Sequence, residues 1–208
     1  MSNEVPHSNS SNPKASEKNY HHGDLKTALV DAALDLLTTR GAEALSLRSL
    51  ASEVGVSHMA PYAHFKNKTE LFQAIAASGF EQLHARMEQA NVGQAPLTLI
   101  LDYGTQYIEY AITNPALYKL MLSQTQIAPE MSEDLSKSSK RPHALLVDAF
   151  SKAPQTKVSN SVRAQGAWAM VHGLATLLID GHLSIPDKMS IRDYLAATST
   201  QVQIKSPL

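Results

Sequence analysis

Between Ser46 and Phe65 the chain has room for two short helices and the corner that joins them, and for little else. Ser46 is a capping residue, and Leu47, Leu50, Ala51 and Val54 fall on one face of the helix it would start. Gly55 supplies the left-handed conformation that ends a helix abruptly. Val56 is apolar, Ser57 is a second candidate cap, and a further short helical segment is predicted over His58 to Phe65. A steeply crossed helix pair needs a small residue at the approach, a glycine at the bend and apolar side chains turned into a shared core. Ala51, Gly55 and the trio Leu50, Val54 and Val56 meet those needs. The second segment would present His58, Met59, Ala60, Tyr62 and His64 without a carboxylate among them, which suits a groove walled by phosphates. An ordinary αα-hairpin satisfies the same spacing, and Pro61 opposes a regular second helix because it removes one backbone bond and crowds the carbonyl four residues back. If Ser57 is the cap, that carbonyl belongs to the cap itself and Pro61 lies at the edge of the first turn.

The flanking sequence is helical in period. Leu25, Leu29, Ala32 and Leu36 form an amphipathic stripe that Gly41 stops. Asn67 stands three residues before Glu70, like a capping box, ahead of Phe72, Ile75, Ala76, Leu83 and Met87. Gly79 inside that run costs about 1 kcal/mol relative to Ala and therefore needs a packing reason. Further helices are predicted at about 96–113, 115–123, 131–153, 158–181 and 189–202, with Asn114-Pro115 a cap followed by proline at the first helical position. No segment alternates like a strand. The expected fold is all-α: a disordered polar tail over 1–19, a three-helix unit over 20–67 and a larger helical bundle over 68–208.

Composition sets limits on function. The 208 residues contain no Cys, which excludes disulfides, thiolate catalysis and Cys-based zinc sites and suits a reducing cytoplasm. There is no secretory signal pattern, and the longest nearly uncharged stretch, 167–179, is too short for a bilayer span. Net charge is −1, and residues 1–68 carry seven basic and seven acidic groups, so any nucleic-acid surface must be made by local placement of charge.

Four segments together resemble the N-terminal domain of the TetR/AcrR transcriptional regulators: Tyr20-His21-His22-Gly23-Asp24-Leu25, Leu45 to Ala51, Gly55-Val56-Ser57, and Tyr62 to Leu71 with its Tyr-x-His-Phe-x-x-Lys core. Ser57 to Tyr62, with Pro61, looks like one branch of that family, and Gly166 to Ala175 resembles the Trp-His-Gly regulatory domain found with that branch. The resemblance implies a dimeric, ligand-responsive regulator, most often a repressor, whose recognition segments read operator half-sites in successive major grooves. By position it implies that Arg48 reaches phosphate or a base edge and that His58 and Ala60 face bases. Tyr62, His64 and Lys68 would hold the phosphate backbone, and Ser57 and Lys66 flank the same surface. Arg is able to bond guanine in bidentate fashion, whereas Met59 and Ala60 offer only apolar contact such as a thymine methyl. Lys14, Lys18, His21 and His22 would add phosphate contacts or form a solvated leader.

In the body, the 158–181 helix has only His172 and Thr176 as hydrogen-bonding side chains between Ala167 and Ile179, so it is expected to be buried nearly all round. Gly166 and Gly173 share a face and admit a close second helix, either from a twofold-related copy or from within a monomeric bundle. The dimer reading adds Met170, Leu174 and Leu177 to that face. Tyr103, Tyr107, Tyr118, Met121, Phe150, Trp168 and His172 are candidates for an effector pocket with His172 as its polar handle, or for plain core. A di-metal carboxylate enzyme is the catalytic alternative, since Glu81-x-x-His84 has the right form, but it needs a second such pair and the other occurrence, Glu4-x-x-His7, spans Pro6. A helical adaptor that binds protein instead of DNA is the third class. No catalytic residue, metal or cofactor is expected, and the partners expected are double-stranded operator DNA, a second copy of the chain and a small effector, with no membrane.

Overall fold

A computed structural model of the chain describes residues 22–90, 94–123 and 130–201, so the expectations for the tail, including Lys14, Lys18 and His21, lie outside the described residues. Helix α1 spans His22–Arg40. It buries Leu29, Ala33, Leu36 and Leu37, with the predicted Leu25 and Ala32 at the margin of that stripe. Gly41 takes a left-handed φ of 78° and its N–H closes the helix on the Leu37 carbonyl at 3.1 Å. A 3-10 turn, Ala42–Ala44, leads to α2, Leu47–Val54. The Ser46 hydroxyl accepts from the Ser49 N–H and the Ser49 hydroxyl accepts from the Ser46 N–H, each at 3.0 Å, which completes a capping box with Ser in the Glu position. Gly55 ends α2 at φ 75°, a conformation that a residue with a Cβ adopts only under strain.

The predicted helix over His58 to Phe65 is instead a single 3-10 turn, Ala60–Ala63. Pro61 explains the difference. It has no N–H to give to Ser57, whose carbonyl is taken by the Ala60 N–H at 3.0 Å, and its ring is fully buried. The segment is thereby tightened to three-residue spacing.

Helix α3, Lys68–Glu88, starts at Asn67, whose side chain accepts from the Glu70 N–H at 2.9 Å. The Glu70 carboxylate accepts from the Lys66 N–H at 2.8 Å, one residue earlier than a standard box. Leu71, Phe72 and Ile75 at its start share one core with Leu29, Leu50 and Phe65, and its later turns pack into the body. The body comprises α4 (Pro96–Thr113), α5 (Pro115–Met121), α6 (Glu133–Ser138), α7 (Arg141–Lys152), α8 (Asn160–Ile179) and α9 (Ile191–Gln201). Helix α4 is central, with α3, α7, α8 and α9 around it. The single helix predicted over 131–153 is broken into α6 and α7, because Pro142 has no N–H for the Ser138 carbonyl and the ladder restarts at Arg141. Among the described residues there is no strand, so the fold is all-α.

The packing reason for Gly79 is α5: a Cβ there would lie 2.6 Å from the Met121 sulfur, and the Gly79 carbonyl accepts from the Tyr110 hydroxyl at 3.0 Å. Helix α8 buries Ala164, Val171 and Ala175. Among the described residues it is not covered all round: Val162, Gly166, Ala169 and Leu177 are exposed and Gly173 half-exposed along one stripe. A Cβ added at Gly166 or Gly173 would meet no atom of the described residues within 4 Å. Met170 and Leu174 are half-buried beside that stripe.

Candidate nucleic-acid interface and ligand cleft

The 3-10 turn and the N-terminal end of α2 form one exposed surface. Arg48 lies in the first turn of α2 with its side chain in solvent, and Ser57, His58, Met59, Tyr62 and Lys66 are exposed around it. Met59, at 73% exposure, is an apolar side chain that the fold itself leaves uncovered. Ala60 is half-buried. Lys68 is exposed but tethered: its ammonium donates to the Ala42 carbonyl at 3.3 Å and sits 5.0 Å from the Phe72 ring centroid. From Gly55 to Lys68 there is no acidic residue, so Lys66 and Lys68 face no carboxylate of that segment across the turn. The Lys66 ammonium lies 3.8 Å from the Glu70 carboxylate.

His64 is placed differently. Its ring is half-buried, and Nε2 is sealed from solvent without a hydrogen-bond partner among the described residues. It lines a hollow of about 530 Å³ together with Lys26, Asn67, Gln73 and Asp134. Gln73, which sequence reasoning did not single out, joins α3 to the segment before α6: its amide nitrogen donates to the Glu130 carbonyl at 2.8 Å and its oxygen accepts from the Ser132 N–H at 3.0 Å. A polar residue beside Phe72 on an inward face was the only sequence signal for that role.

Of the pocket candidates, the fold brings together Tyr107, Tyr118, Trp168 and His172. The Tyr107 and Tyr118 hydroxyls are 3.2 Å apart, and Tyr118 lies 2.7 Å from His172 Nδ1. Trp168 meets Tyr107 edge-on at 4.9 Å between centroids. Burial pushes both phenols up, holding them protonated, with the hydrogen bond from Tyr107 partly opposing the shift at Tyr118. His143, not anticipated, stands 6.0 Å from Trp168 with its Nε2 buried and, among the described residues, unpartnered. Tyr103 and Phe150 are buried away from this chain of hydroxyls, Phe150 beneath the Arg163 guanidinium at 4.6 Å, and Met121 belongs to the seam with Gly79. Beside Tyr118 and His172 a cleft of about 280 Å³ opens between α5 and α8, bounded by Leu122, Thr176, Ile179 and the Lys119–Asp180 ion pair.

The catalytic half-motif is occupied otherwise. Glu81 binds Arg141, and buried His84 contacts Glu88 at 3.2 Å. Among the described residues no three His, Asp or Glu side chains converge as metal ligands, and no helix is long and apolar enough to cross a membrane.

Comparison with known proteins assigns each half of this geometry. Residues 29–75 match the model of bacterial regulatory proteins of the tetR family, and residues 100–198 match the tetracyclin repressor-like C-terminal domain. Over 176 residues, 81% of this chain and 88% of the relative, the sequence is 26% identical to the HTH-type transcriptional regulator BetI of Brucella suis. Over 60 residues it is 43% identical to the HTH-type nicotine-responsive transcriptional repressor HdnoR of Paenarthrobacter nicotinovorans, a match covering 29% of this chain and 31% of that protein. A solved structure of a protein with unknown function from Rhodococcus sp. RHA1 aligns with a TM-score of 0.75 at 31% identity, over 89% of this chain and 96% of that one.

Proposed function

The chain belongs to the TetR family of transcriptional regulators, and from that premise we propose that it is a homodimeric repressor that releases its operator when a small molecule binds the C-terminal body. The observation that carries the reading is the surface around the 3-10 turn: a run free of carboxylates, with exposed His58, Met59 and Tyr62 between Arg48 and the pair Lys66 and Lys68. Phosphate contacts fix register and base contacts specify sequence. Tyr62, Lys66 and Lys68 take the first role, Arg48 and His58 the second, and Met59 and Ala60 contribute apolar contact to base edges. The division into a DNA-binding unit over 20–67 and a regulatory body over 68–208 follows the start of α3, which serves both cores.

Dimerisation rests on the open stripe of α8. It is apolar and small, and the two glycines leave room for a second backbone, which fits a self-complementary face. Small-molecule control rests on the cleft next to Tyr118 and His172. A ligand that favours a spacing of the two recognition turns unsuited to the operator weakens DNA binding by the factor that DNA weakens ligand binding. Selection of bound fragments from the source genome, followed by titration of the selected duplex, tests the reading. Equal affinity for a scrambled duplex at moderate salt would overturn it.

A further inference from the structure

The cleft between α5 and α8 has a polar inventory small enough to state what it can bind. At its back two phenol hydroxyls converge on one imidazole nitrogen. The Tyr107 hydroxyl, on a side chain 2% exposed, lies 3.2 Å from that of Tyr118 and 3.4 Å from His172 Nδ1, and the Tyr118 hydroxyl lies 2.7 Å from the same nitrogen. An arrangement with both hydroxyl protons directed toward Nδ1 gives each buried O–H an acceptor, as burial demands. It also makes Nδ1 an acceptor, so the proton of the neutral imidazole sits on Nε2. Among the described residues Nε2 has no partner, and unlike the Nε2 atoms of His64 and His143 it is not sealed from solvent. The His172 ring borders the cleft, which makes Nε2–H a fixed, unused donor beside that space.

The rest of the cleft supplies no net charge. Lys119 and Asp180 pair with each other at 2.7 Å, so their charges balance, and the Lys119 hydrogen bond holds the Asp180 carboxyl below its ordinary range. Leu122 and Ile179 give apolar walls. A charged ligand would compete with that ion pair, whereas an acceptor oxygen on a short apolar body meets the imidazole, with the Thr176 hydroxyl beside it, and two apolar walls. The volume, about 280 Å³, lies at the lower end for ligand sites and fits a metabolite-sized molecule.

We propose that the effector is a small uncharged carbonyl compound, a ketone, ester or amide, whose oxygen accepts a hydrogen bond from His172 Nε2 while its alkyl part lies against Leu122 and Ile179. This rests on the reading of the chain as a ligand-responsive regulator. The test uses three probes of equal chain length, 2-hexanone, hexanoate and hexylamine, titrated into the full-length protein by calorimetry. Emission of Trp168, the only tryptophan, provides a second readout because it packs on Tyr107. The ketone should bind at least about tenfold more tightly than either charged probe, the scale of one directed hydrogen bond. His172→Asn keeps an acceptor near the Nδ1 position for Tyr118 but removes the donor at Nε2, and should weaken 2-hexanone about tenfold. His172→Gln, which returns an N–H near the Nε2 position, should recover much of the loss.

Preference for hexanoate or hexylamine, an unchanged ketone affinity in His172→Asn, or no ketone binding up to its solubility would each overturn the proposal. The selected operator separates this from failure of the underlying reading. Release of operator by some other compound but not by 2-hexanone refutes the ligand class alone, whereas absence of operator binding by the free protein refutes the regulator and its effector together.

Discussion

Gly173→Ala changes sign according to whether α8 has a partner. Among the described residues of one chain an added Cβ at position 173 touches nothing within 4 Å, so the substitution should act only through helix propensity and stabilise by about 1 kcal/mol. For a chain of this size that raises the melting temperature by about 2–4 °C. If the stripe Val162, Gly166, Ala169, Gly173 and Leu177 packs on its twofold mate, the methyl enters a filled space in each subunit. Overpacking costs about 1–3 kcal/mol per site. The propensity gain is present in monomer and dimer alike and cancels from the dissociation constant. Two symmetric sites therefore weaken the dimer by at least about 2 kcal/mol, roughly thirtyfold in dissociation constant. Sedimentation equilibrium over a dilution series of wild type and variant measures this directly. A variant with wild-type mass at every concentration and a raised melting temperature would show that the stripe faces only water, and the dimer assignment would fall.

Gly79→Ala should behave in the opposite way to a free helix position. Its Cβ meets the Met121 sulfur at 2.6 Å, so urea unfolding should show a net loss of up to about 2 kcal/mol once the propensity gain is set against overpacking; a gain near 1 kcal/mol would refute close α3–α5 contact. Lys68→Ala and Tyr62→Phe should weaken binding uniformly across operator variants, with Lys68→Ala flattening the log K against log salt slope by about 1, whereas Arg48→Ala should relax preference at a particular base pair. Tyr103, Tyr107, Tyr110 and Tyr118 are all held above the ordinary phenol range by burial. Their protons are retained in the folded chain and released in the unfolded one, so their stabilisation is full below about pH 10 and declines as pH rises above it. Tyr107→Phe should accordingly leave the phenolate absorbance titration of the folded protein unchanged, and a lost ionisation below pH 11 would contradict the burial of that hydroxyl.

What could be read in the sequence was the local chemistry. Ser46, Gly55 and Asn67 do in the structure what their residue types dictate, because a cap or a left-handed glycine is satisfied by atoms only a few positions away. The all-α class and the inward residues of α3 were legible for the same reason, since a helix of that length declares its face by period. What the sequence hid depended on distant partners. Pro61 shortened the expected recognition helix to a 3-10 turn because the core also takes up its ring, and Pro142 split a predicted helix where the ladder lost a donor. Periodicity put Tyr107 on a face of α4 but gave no sign that Tyr118 and His172, from two other helices, would extend it into one hydrogen-bonded chain. Nor did it foretell that the His64 ring would be drawn into the hollow beside Gln73. The surface residues around the turn were the easiest part of the site to name, since an exposed side chain needs no tertiary partner to be where it is.

The central claim is that a near-neutral protein recognises DNA through the geometry of two small positive surfaces held in one dimer. Fluorescence anisotropy of a labelled, genome-selected duplex against a scrambled duplex of the same length, with stoichiometry fixed by sedimentation, tests it most directly. Two chains, or a multiple of two, are expected per selected duplex, with a preference of at least about a thousandfold over the scrambled one. One chain per duplex, or equal affinity for both sequences, would contradict it.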